Sequence, residues 1–80
     1  MELADKLKAI RQKEGLTQSQ FCDATGISLS SYKKYELGLR LEISSIALMK
    51  ITTHPRFTKY TLWLMTGHTA LESGQISPIE

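Results

Sequence analysis

The chain is poor in cysteine and proline, and it has no long apolar run. Its single cysteine, Cys22, permits no intramolecular disulfide, so packing must hold the fold, and a reducing cytoplasm is the expected compartment. No stretch approaches the roughly 20 apolar residues of a membrane-spanning helix, and no signal peptide is read, so no membrane partner is expected. Cys22, His54 and His68 share no ligand spacing, so no metal is expected. The five glycines stand at turn and cap positions rather than in a phosphate-cradling loop. No pair of carboxylates stands out for acid–base work, so neither an enzyme activity nor a cofactor has anything to rest on. Repeats and low-complexity segments are also missing.

What remains is a short, mildly basic chain. Eighty residues make one domain, and so short a chain buries a core only if its helices pack efficiently. The net charge is +2, but all ten Lys and Arg lie in residues 1–66 against six acids, while residues 67–80 carry two acids and no Lys or Arg. The basic excess belongs to the part that folds, as a nucleic-acid partner would require.

The stretch from Leu16 to Gly38 organises the rest. Thr17 and Gln20 form a capping box that starts a helix, with Phe21 and Ala24 at i and i+3 and Cys22 and Thr25 beside them as its packing face. Gly26 supplies the left-handed turn, Ile27 plugs it, and Ser28 caps a second helix. On that helix Tyr32, Tyr35 and Glu36 share one face, and Ser30, Lys33, Lys34 and Leu37 share the other. Two short helices hinged on a glycine, with polar and cationic groups left over on the second, have the layout of a helix-turn-helix.

Around this stretch the spacing predicts three more helices. Leu3, Leu7 and Ile10 form a stripe over residues 2–14, closed by Gly15. Leu39 to Ile43 reads as a loop carrying Arg40. Ser44 to Thr53, with Ile46, Leu48, Met49 and Ile51, reads as a fourth helix that Pro55 stops. A fifth starts between Pro55 and Thr58; with Thr58 as cap, Phe57 and Leu62 would form a hydrophobic staple, and Thr66-Gly67 ends it. Residues 68–80, with glycine, serine, proline and scattered aliphatics, read as a loosely ordered tail that could instead contact a partner subunit through Ile76 and Ile79.

Leu16, Thr17, Gln18, Phe21, Cys22, Gly26, Ile27, Tyr32, Tyr35, Glu36 and Gly38 fill, without a gap, the slots of a known pattern. The segment resembles the helix-turn-helix of the phage-repressor and Cro-like, XRE-type regulators. Cys22 stands where that family usually has alanine, and Tyr32 where it has a β-branched residue. Trp63-Leu64-Met65-Thr66-Gly67 is similar to the sequence that often closes the family's five-helix domain. The resemblance implies an all-α, compact five-helix bundle of the lambda-repressor-like DNA-binding type over residues 1–67. It also implies that Arg11 pairs with Glu36. The residues agree, since an inward carboxylate needs a bidentate cation; the alternative is two solvated surface charges.

On the helix-turn-helix reading, Leu29, Ser30, Lys33 and Lys34 are the candidate base contacts. Leu29 can offer only van der Waals contact to a thymine methyl, and either lysine can donate to guanine. Gln18, at a helix start, and Arg40 are the candidate phosphate contacts. An ordinary solvated helix face is the other meaning of Lys33-Lys34. One such module covers about half a turn of duplex, so a homodimer is expected, with Trp63, Tyr60 and Ile76 as candidate interface; the alternative is that Trp63 closes the monomer core. Two functions follow. One is a sequence-specific regulator bound to a double-stranded DNA operator. The other is a protein-interaction module, such as an antitoxin or adaptor, that holds a partner protein with the aromatic C-terminal helix.

Overall fold

Leu7 and Ile10 lie fully buried on the inner side of α1 (Leu3–Lys13), with Leu3 packed at their edge. A computed structural model describes residues 1–79 and shows four further helices: α2 (Gln18–Thr25), α3 (Leu29–Glu36), α4 (Ser45–Thr52) and α5 (Thr61–Thr66). No strand is present among the described residues; an isolated bridge joins Ala70 and Gln75. The radius of gyration is 11.7 Å, about that expected of a compact chain of this length.

The helix starts are written locally. Thr17 Oγ1 accepts from Gln20 N–H at 3.1 Å while Gln20 Oε1 accepts from Thr17 N–H at 2.9 Å, a complete capping box. Ser28 and Ser44 cap α3 and α4 through Ser31 N–H and Ala47 N–H. Gly26 adopts φ 79°, which lets α2 end and α3 leave at a sharp angle without a Cβ penalty.

An aromatic stack fills the centre. The Phe21 ring lies 4.9 Å from Tyr32 and 4.8 Å from Phe57, and all three are buried. α2 differs from its expected packing face: Phe21, Cys22 and Thr25 are buried while Ala24 faces solvent. The Thr25 hydroxyl donates to Phe21 O, so burying it leaves no unpaired donor.

The C-terminal third departs furthest from the sequence reading. Thr58 does not cap a helix; Thr58–Tyr60 is a 3-10 turn leading straight into α5, and Phe57, rather than stapling Leu62, enters the core beside His54. Tyr60 and Trp63 are only 1% and 5% exposed, so their rings pack in the monomer core rather than standing out as an open apolar face. The Tyr60 hydroxyl donates to Glu14 Oε2 at 2.7 Å, and Arg56 and Lys59 converge on the same carboxylate. Burial opposes ionisation of Glu14, yet the bonds from Tyr60, Arg56 and Lys59 prevail and hold its pKa below the usual range. Lys6 reaches across to the carbonyls of Trp63 and Leu64, neutralising the end of α5.

The segment after Gly67, read from sequence as a loose tail, folds back on the domain. Ile76 N–H donates to Lys59 O at 2.9 Å. The Gln75 side chain accepts from Leu62 N–H and donates to Thr58 O, and Ser77 is buried. Ile76 is half-buried against the core rather than free for a partner. No helix among the described residues is long and apolar enough to cross a membrane.

Candidate nucleic-acid interface

α3 is held from behind and open in front. Tyr32 and Tyr35 are buried, and the Tyr32 hydroxyl donates to Leu7 O at 3.4 Å. Ser30, Lys33 and Lys34 point to solvent from the opposite face, so this face carries two full cations and no carboxylate. Leu29, also named from sequence as a base contact, is half-buried and packs against the core, which leaves only part of it for a ligand.

The fixed angle of α3 comes from a three-element clamp. Arg11 Nε and Nη2 donate to the two oxygens of Glu36 at 2.7 and 2.9 Å, and Nη1 donates to Leu16 O at 2.9 Å. The two side chains are 14% and 5% exposed, so this is the inward pair, not two solvated charges. One guanidinium therefore ties α1 to the start of α2 and the end of α3. Burial raises the Glu36 pKa, but the Arg11 bonds outweigh it and the carboxyl stays ionised below its ordinary range.

Gln18 joins this clamp: its Nε2 donates to Glu36 Oε1 at 3.3 Å. One amide hydrogen is thus engaged inside the protein and the other remains, beside the backbone N–H groups that open α2. Arg40 lies on the far side of α3, exposed, with its guanidinium 5.7 Å from the Tyr35 ring centroid.

The structure adds residues that the sequence reading missed. A groove of about 380 Å³ runs between the start of α3 and α4, edged by Ser28, Ser31, Arg40, Ser44 and Lys50, with no carboxylate in its lining. Lys50 Nζ donates to Gly26 O at 3.2 Å, which brings its charge to the turn; two of its three N–H bonds stay available. The signal in the sequence was only a lysine on the outer side of α4. What makes it relevant is a contact 24 residues away. The hydroxyls and cations of this groove, beside an outward cationic helix, suit a polyanionic backbone.

Residues 7–54 match the family profile described as "Helix-turn-helix", a span from the buried half of α1 to just beyond α4. Over 76 residues, covering 95% of this chain and 76% of the relative, the chain is 38% identical to Repressor protein C of Escherichia phage P2.

Proposed function

The chain belongs to the XRE-type helix-turn-helix family of phage-repressor-like DNA-binding regulators, and from that we propose that it binds a specific double-stranded operator and represses transcription by occupying a promoter. α3 lies in the major groove. Ser30, Lys33 and Lys34 meet base edges, with the exposed part of Leu29 against a thymine methyl. Gln18 and the start of α2 grip the phosphates on one side; Arg40 and Lys50 grip those on the other. The observation that carries this reading is the division of α3 into a buried tyrosine face and a free lysine face.

The direct test is equilibrium binding to duplex DNA selected from random sequence, repeated across salt concentrations. Log affinity is expected to fall linearly with log salt, with a slope of about −0.9 per phosphate neutralised. Affinity that ignores salt and sequence would refute the proposal.

Operator binding is proposed to be dimeric. Tyr60 and Trp63 are buried in the core, but apolar surface remains on the outer side of α5 and the segment following it, as it does around Leu37, Leu39, Leu41, Ile46 and Met49. Met65, Leu71 and Ile79 are 57%, 71% and 58% exposed, and Leu62 and Met65 line a groove of about 600 Å³. Met65→Glu is expected to leave the melting temperature within about 2 °C, because the side chain is exposed. It is expected to shift a dimer to monomer in sedimentation velocity at micromolar concentration. An unchanged sedimentation coefficient would remove this surface from the proposal.

A further inference from the structure

Arg40 is the last cation before α4, and among the described residues no carboxylate pairs with it, although Glu2, Asp5 and Glu36 line a second groove that it shares with the start of α1. Its backbone explains where it goes. Gly38 turns the chain at φ 73°, and the N–H groups of Leu39 and Arg40 both converge on Lys34 O at 3.0 and 3.4 Å. The chain therefore doubles back over the end of α3, and the guanidinium comes to rest over the Tyr35 ring, which is 4% exposed and fixed in the core.

Resting on the DNA-binding reading above, we propose that Tyr35 is the positioning residue for Arg40: its ring holds the guanidinium ready for a phosphate beside the recognition helix. The arrangement mirrors the other flank, where Gln18 is held by Glu36. Neighbouring residues on the hidden side of α3 thus fix the two backbone grips on either side of its exposed face. A planar guanidinium can lie on a ring face and still present N–H groups at its edge, which the compact ammonium of lysine cannot do. Holding the grip in place before DNA arrives spares the ordering of a long side chain on binding.

The test uses the full chain and a duplex selected by the wild-type protein from random sequence. Arg40→Ala is expected to reduce the salt slope by about 0.9. Arg40→Lys keeps the charge but not the planar guanidinium over the ring, and is expected to bind about two- to fivefold more weakly than wild type. In a Tyr35→Leu background, Arg40→Lys is expected to change nothing, whereas Tyr35→Phe keeps the ring and the wild-type affinity. Full binding by Arg40→Lys would overturn the proposal and leave the DNA reading intact, as would an Arg40→Ala variant with an unchanged slope. If wild type selects no duplex, the DNA reading itself fails. Should Tyr35→Leu not fold by thermal melt, the comparison of Arg40→Lys with Arg40→Ala and Tyr35→Phe still decides the matter.

Discussion

Replacing Arg11 by alanine is expected to lower the unfolding free energy by about 3 kcal/mol, the low end for breaking a buried ion pair, because Glu36 would keep its burial and lose its cation. For a domain of this size that is a fall of about 12–24 °C in melting temperature, a large share of the total stability. The loss exceeds that of a surface pair because Arg11 also satisfies Leu16 O, so the start of α2 loosens together with the end of α3. Circular dichroism melts would check it, and a shift under about 3 °C would show that the clamp is dispensable. The pH dependence has a definite sign. Glu36 and Glu14 have folded pKa values below the ordinary carboxylate range, so the unfolded chain binds more protons in mild acid. Their contribution is complete above the unfolded value, about 4.3, and is lost as pH falls through the lower folded values. In Arg11→Ala the strongest bonds that depress Glu36 are gone, leaving Gln18, while its burial remains. Acid unfolding should therefore begin at higher pH than in wild type.

The second large effect is on binding. Replacing Lys33 and Lys34 together by alanine is expected to weaken operator affinity by about 2–6 kcal/mol, since each contact contributes about 1–3 kcal/mol. Both side chains are exposed, so the melting temperature should hardly move. Single substitutions divide the roles. A base reader relaxes specificity at one position of the operator, while a phosphate contact weakens all sequences alike and lowers the salt slope. Quantitative mobility shifts on single-base operator variants would separate the two. A double variant that binds as well as wild type would leave α3 without a function.

How much of this was legible in the sequence follows the distance over which each feature is determined. Thr17 with Gln20, Gly26 and Ser28 act on neighbours within a turn, so the two helices and their corner could be read directly. The Arg11–Glu36 pair was reachable because its inward face and its family pattern coincide. The C-terminal third was not, since its shape rests on distant partners. Tyr60 meets Glu14 46 residues away, and Gln75 meets Leu62 and Thr58 at 13 and 17. A helix bearing Tyr60 and Trp63 looks the same in sequence whether its rings face a partner or its own core; only the neighbouring helices decide. At the interface, Lys33 and Lys34 followed from helical period. The half-burial of Leu29 depended on the tilt of α3 in its corner, and Lys50 mattered only once α4 was folded against Gly26.

The stitching by Gln75 bears on where this protein can be cut. A version ending at residue 67 would retain α1 to α5 yet strip the cover from Thr58 and Leu62 and bare the apolar side of the last turn. Such a shortened form should be the more easily digested one in limited proteolysis.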